Sequence, residues 1–407
     1  MKLWANELKP GMVLDEGVSD AGGKLLLPAG AVLDENHLRI LNIWGVTEAE
    51  VRPDSVRPAA PRNPAQAALA SAHADALFAH ADLSVPPMVE LKRACANFYA
   101  DRLAAGERLP PPPEPVAGPV EPPPAPLFAD AREFLSADVD LGAFPAIYHR
   151  IVEALHDPVS SSGSLADIIA EDPGLSARLL ALVNSALYGY SQPVDSLSRA
   201  VALVGTKGLT QLALAVTVMH KFGTDRDGRP ALARFRRHCV ATAAICRILA
   251  VQVRGVSQDL CFVAGLLRDV GRLVMLRMAP EASETARRMS LANAIPLDAA
   301  ERRIFGFDQS QAVRTLFTSW RFPDEIIAAT ERRDPALDDG PVEGAVCAVG
   351  GLLATAMQYG DGGNGLVHAP PAGAWGSLGL PESALAVTLA RSRRQVDDLL
   401  TVFRERT

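Results

Sequence analysis

The chain has 407 residues, 48% of them hydrophobic and 21% charged, with 40 Lys and Arg against 47 Asp and Glu for a formal net charge of -7. That length suggests two or three domains of ordinary globular composition, and the acidic balance argues against a general nucleic-acid binder, which needs a basic face for phosphates. The five cysteines (Cys95, Cys239, Cys246, Cys261, Cys347) are odd in number and contain no C-x-x-C pair. This argues against a disulfide framework or a structural zinc site and suits a reducing compartment. The first residues lack a signal-peptide core, and apolar runs such as 212–219 fall far short of the ~20 residues that span a bilayer. The expectation is a cytoplasmic protein with neither membrane nor nucleic acid as partner.

In chain order, residues 1–55 carry short β-type runs (12–14, 24–27, 31–33) separated by Gly22-Gly23 and Pro28-Ala29-Gly30 turns. Asp34 is placed to cap a helix over 35–44, Gly45 to end it, and 46–51 to return as a strand, giving a small α+β domain. Residues 63–106 are Ala-rich and helical in pattern, broken at Pro86-Pro87, with Met88, Leu91, Ala94, Cys95 and Phe98 on one apolar face. Residues 107–126 are dominated by proline and predict an extended linker without a core.

From 127 to 336 almost every segment predicts helix. Ser164 with Asp167 reads as a capping box, Asp172-Pro173 as an N-cap with proline at the first helical position, and Ser196 and Gly205 as the two ends of a further helix. Pro230 opens a helix carrying His238, and Ser257 caps a helix carrying Arg268-Asp269. Residues 337–407 add an apolar helix from about 342 to 359, the glycine-rich stretch 360–365 and an amphipathic helix after Pro381. The glycine-rich stretch lacks the Lys-Ser/Thr continuation of a phosphate-binding loop, and no H-E-x-x-H, G-x-S-x-G or dinucleotide fingerprint occurs. The fold class expected is mainly α, a helical bundle with a small N-terminal α+β domain.

Several motifs in the third region coincide with one family. Phe144-Pro145, the run Ile168-Ile169-Ala170-Glu171-Asp172-Pro173-Gly174-Leu175, Asn184-Ser185-Ala186, the stretch 198–205 ending in Gly205, and Phe235-Arg236-Arg237-His238 together resemble an HDOD domain. This is a branch of the HD phosphohydrolase superfamily found in bacterial signalling proteins, and the bundle implied is of HD type. In the first region, 8–12, 25–30 and 40–46 resemble the small domain that precedes HD-GYP cyclic-di-GMP phosphodiesterases.

The resemblance implies a metal site and also shows what has changed in it. His238 stands at the first histidine position. At the His-Asp pair that names the superfamily, this chain has Arg268-Asp269. A stretch expected to end in Asp-His ends in Asp308-Gln309, and Arg332-Arg333 stand where relatives often carry two histidines. An imidazole donates a lone pair to a divalent metal, whereas a guanidinium stays charged and has none to offer. The expectation is therefore no metal, no cofactor and no catalytic residue, in a signalling protein that acts through protein contacts or a small ligand. The alternative is a nucleotide or cyclic-dinucleotide phosphohydrolase with a divergent metal site. The candidate ligand-binding residues are His238, Arg268, Asp269, Asp308, Gln309, Arg332 and Arg333. Two readings of the arginines stay open: they bind a phosphate-bearing, nucleotide-type ligand bidentately, or they pair with Asp269, Asp308 or Glu331 in place of the lost metal charge. Asn184 and Ser185 are expected to bond to backbone at a helix junction.

Overall fold

In the computed structural model the helices of residues 63–403 share one continuous apolar core, while the first fifty residues enclose a small core of their own. The structure describes residues 1–407 except 1, 5–7, 9, 20–24, 44–45, 47, 56–62, 113–115, 117, 137–145, 157–161, 191, 224–229, 332–339, 361, 364, 371–372 and 404–407. Expectations that rest on Gly22-Gly23, Gly45, Phe144-Pro145, Arg332 and Arg333 lie outside the described residues.

The N-terminal domain is α+β. Strands Lys2–Trp4 and Glu48–Glu50 pair antiparallel, as do Val18–Ser19 and Leu25–Leu27, with isolated bridges Val13 to Val32 and Leu14 to Val51. Helix Glu35–Ile43 begins after Asp34, whose carboxylate accepts from the His37 amide at 2.7 Å. Leu14, Leu33, Leu41 and Val51 fill the space between them. Arg391, buried on the last helix of the chain, donates to the Val46 carbonyl and ties this domain to the bundle.

Residues 63–106 form an antiparallel helical pair, Pro64–Leu77 and Pro86–Ala104, in which Pro86 begins the second helix. Met88, Leu91, Ala94, Cys95 and Phe98 are buried as their spacing predicts. The Pro-rich stretch differs from the expected free linker. The Val120 amide donates to Asn293 Oδ1 at 2.9 Å, the Asn293 side chain donates back to the Val120 carbonyl at 2.8 Å, and Leu109 and Val120 pack on the core. The Leu127 and Phe128 amides then donate to the Ile304 and Phe305 carbonyls. Proline removes donors of its own but leaves carbonyls and apolar rings free, so an extended segment can still lie as a strap against helices.

The bundle's central helix is Pro230–Ala250, packed against Gln258–Leu267, Val342–Ala356 and Ala384–Val402. Close approach is possible because small residues face it. A Cβ at Gly265 or Gly350 would stand 2.8 or 2.3 Å from Cys246 Sγ. The local signals hold for Asp172, whose carboxylate accepts from the Leu175 amide at 2.9 Å, and for Ser196 and Ser257, which cap helices Leu197–Val204 and Gln258–Leu267. Gly205 ends the former at φ +87. Ser164 does not cap: helix Ser162–Ala170 begins two residues earlier, which places Ser164 inside its first turn. The apolar C-terminal helix is shorter than expected, ending at Ala356. Asn184 and Ser185 bond to backbone as expected, Asn184 bridging the Leu180 and Val194 carbonyls at 2.9 and 2.8 Å and Ser185 reaching Leu182 at 2.7 Å. Among the described residues no single helix is long and apolar enough to cross a membrane.

Candidate functional site

Arg268 and Asp269 are not carried within the helix that Ser257 caps, contrary to the expectation from sequence. Arg268 is the C-cap of Gln258–Leu267, and Asp269 is the N-cap of Val270–Met278. An aspartate at a helix start ordinarily accepts from the second or third backbone amide. Asp269 makes no such bond, because its carboxylate is drawn to side chains. Asp269 Oδ2 lies 3.4 Å from Arg268 Nε and 3.6 Å from His238 Nε2, and Oδ1 lies 4.0 Å from Arg272 Nη1. All four residues are buried, between 2% and 5% exposed. Burial alone pushes the Asp269 carboxyl up, but Arg268, then His238 and Arg272, overcome it and hold the group well below the usual carboxylate range.

The two guanidiniums are engaged in different ways. Arg268 also donates to the Cys347 carbonyl, across the seam to helix Val342–Ala356. Gly351 opens the space for it, since a Cβ there would meet Arg268 Nη1 at 2.6 Å. The thiols of Cys246 and Cys261 are pushed up by burial and stay uncharged, so they supply no thiolate to the arginine. Arg272 is the hub of a second network. Its Nε donates to Glu301 Oε1 at 2.6 Å, its Nη2 to Asp298 Oδ1 at 2.9 Å and its Nη1 to the Gly362 carbonyl at 2.8 Å. Burial lowers this guanidinium's proton affinity, but Glu301 and Asp298 reverse that and keep it firmly charged.

Asp308 and Gln309 sit at the start of helix Gln309–Ser319. Asp308 caps it, accepting from the Ser310 and Gln311 amides at 2.9 and 3.0 Å, and pairs with Arg302. Gln309 is fully buried and does not line the cleft, its backbone N–H donating to Glu301 Oε2 at 3.1 Å. Glu331, one of the expected arginine partners, pairs with Arg314 at 2.5 Å. The structure thus brings His238, Arg268, Asp269 and Asp308 to one cleft of about 650 Å³, leaves Gln309 behind its wall, and does not describe Arg332 and Arg333. Sequence reasoning missed Arg272, Asp298, Arg302 and Glu301. Arg272 follows Asp269 by three residues on a helix, and that spacing is the signal that could have marked it. It also missed that described residues between 348 and 370 form one side of the cleft, with Gly351, Thr355, Gly362, Leu366 and His368 among the lining residues.

An HD-type metal needs neutral nitrogen and carboxylate oxygen donors converging on open space. Asp269 carries a guanidinium 3.4 Å from one oxygen, and Asp308 is committed to a helix cap and to Arg302. Among the described residues no three His, Cys, Asp or Glu side chains are arranged to hold a metal ion. The residues present do not fit the group.

The HDOD domain model matches residues 141–335. The fold is shared with several solved structures. One is an HDOD protein of unknown function from Geobacter sulfurreducens, 24% identical, with TM-score 0.53, covering 67% of this chain and 95% of that one. Another is a provisionally named signal transduction protein from Marinobacter aquaeolei VT8, 23% identical, with TM-score 0.51, covering 66% and 60%. A third is a provisionally named phosphohydrolase from Shewanella amazonensis SB2B, 20% identical, with TM-score 0.52, covering 66% and 97%. An uncharacterized protein of Treponema pallidum is 23% identical over 188 residues, which are 46% of this chain and only 36% of that relative's length. Motifs, bundle and family model agree on one part of the chain: residues 141–335 match the HDOD domain, and the bundle shares its fold with the solved structures above.

Proposed function

We propose that this chain is a non-catalytic signalling module, in which an internal ion-pair network stands where a catalytic relative would hold metal. One observation carries the reading: the Arg268 guanidinium lies 3.4 Å from Asp269 Oδ2, so the carboxylate that would ligate the metal is already neutralised by a fixed cation. A divalent ion added there would face two buried guanidiniums, and phosphoryl transfer through such a site would lack its Lewis acid. The arginines serve the fold more than a phosphate ligand. Arg268, Arg272 and Arg302 each have a carboxylate partner, so a phosphate would have to displace Asp269, Asp298 or Asp308. Signalling then runs through protein contacts, with a small polar ligand in the cleft as a second input. The exposed Leu69, Leu83, Val85 and Val89 on the helical pair suit a protein partner, and a solved relative is named for signal transduction.

The test is metal content of the purified protein together with turnover of cyclic-di-GMP and a chromogenic phosphodiester in excess manganese. The expected result is substoichiometric metal and no turnover above that of Asp269→Ala. Stoichiometric metal with turnover that Asp269→Ala abolishes would overturn the proposal and restore the phosphohydrolase reading.

A further inference from the structure

The cleft floor comes from the HDOD domain, but one side of it, formed by described residues between 355 and 370, is held from behind by the helical pair that precedes the domain. Four contacts join them. Tyr99, fully buried, donates its hydroxyl to the Ala356 carbonyl. His73 Nε2 donates to Gln358 Oε1 at 2.6 Å. The Val367 amide donates to the Leu77 carbonyl at 3.0 Å, and the rings of His80 and His368 stand 6.3 Å apart. Three of these partners (His73, Leu77 and Tyr99) lie within its helices and His80 lies in the turn between them, and together they reach both ends of the segment.

The gripped segment is also the one that covers the charged floor. The Gly362 carbonyl accepts from Arg272 at 2.8 Å. Gly362 lies so close over His238 that a Cβ would stand 2.7 Å from Nε2. Gly360, at φ +92, presses on the backbone of the same helix, where a Cβ would meet the Arg234 carbonyl at 2.2 Å and the His238 amide at 2.6 Å. These glycines explain the composition of a stretch that has no phosphate-loop chemistry: only residues without a side chain fit this close to the floor. Between grip and cover stands Gln358, a non-glycine residue at φ +53. That conformation costs on the order of 1 kcal/mol and persists only where surrounding contacts hold it, and the His73 bond is such a contact.

We infer that the helical pair Pro64–Ala104 controls access to the HDOD cleft, its hold on Ala356, Gln358 and Val367 keeping Gly360, Gly362 and Gly363 closed over His238 and Arg272. A signal that shifts the pair releases the cover, and a ligand that lifts the cover loosens the pair by the same free energy. The inference stands whether or not the cleft turns over a substrate.

The experiment combines two variants with two readouts on the full chain. Gln358→Gly removes the acceptor of His73 and suits the positive φ, so it folds, and Tyr99→Phe removes one hydroxyl. Hydrogen exchange is followed across 356–368, and maleimide labelling is timed on a Ser310→Cys reporter in the cleft, against native cysteines that are all buried. Losing one hydrogen bond of ~1 kcal/mol predicts roughly fivefold faster exchange at 365–368 and a matching rise in labelling. Amides of helix Gln258–Leu267 should keep their wild-type rates. Loosening confined to 64–104, with exchange at 365–368 and labelling unchanged, overturns the inference. A uniform rise across the whole bundle overturns it too, since the contacts would then serve only global stability. If Tyr99→Phe fails to fold, Gln358→Gly alone decides.

Discussion

Replacing Asp269 by Asn keeps shape and removes one charge from the centre of the network. Arg272 retains Glu301 and Asp298, so the loss falls on Arg268, which is 4% exposed and is left among the described residues with the Cys347 carbonyl. At 3.4 Å and an effective dielectric of ~20, the lost Coulomb term is about 5 kcal/mol. The Asn carbonyl still accepts a hydrogen bond and returns ~1–2 kcal/mol. The net cost is about 3 kcal/mol, within the range for breaking a buried pair by removing one partner. At ~2–4 °C per kcal/mol the melting temperature falls by about 6–12 °C. The assay is urea unfolding and thermal melting of wild type, Asp269→Asn and the double variant Asp269→Asn with Arg268→Met. The double variant, which no longer buries a lone cation, should recover most of the loss. Because the carboxyl is held below its ordinary value of 3.8, its contribution is complete above that pH and is lost only as pH falls further. The difference between wild type and Asp269→Asn is therefore constant from about pH 5 to 8. A variant as stable as wild type, or a double variant less stable than the single, would refute the reasoning.

Gly351→Ala places a methyl 2.6 Å from Arg268 Nη1, so it should cost ~1–3 kcal/mol by overpacking, read from the urea midpoint. Arg268→His restores the superfamily's His-Asp pair, yet Arg272 still flanks Asp269 and Asp308 remains a helix cap. Elemental analysis of protein purified with manganese should therefore find it still metal-free, and a stoichiometric ion would show that Arg268 alone excludes the metal. Burial holds the His73 imidazole below its ordinary value of 6.5, so the unfolded chain takes up the proton first as pH falls. Its contribution is full above pH 6.5 and declines below it, and urea midpoints of His73→Gln should show a weaker fall on acidification than wild type.

What was legible in the sequence was encoded within a few residues. Asp34, Asp172, Ser196 and Ser257 cap the helices their positions predict, because a cap depends only on a side chain and amides two or three residues on. The change from His to Arg at 268 could be read the same way, from the motif around it. Ser164 shows the limit of such signals: the same residue pattern can fall inside the first turn of a helix that starts earlier. The tertiary structure alone decided which charges meet. Arg272 finds Asp298 and Glu301, 26 and 29 residues on, and the Gly362 carbonyl 90 residues on. The Pro-rich stretch is a strap and not a spacer because Asn293, 173 residues away, pairs with Val120. The glycines at 351, 360 and 362 have their reasons in Arg268, Arg234 and His238 on other helices. Such pairings arise from packing between distant segments, where the free energy of burial sets the partners and local pattern carries no record of them.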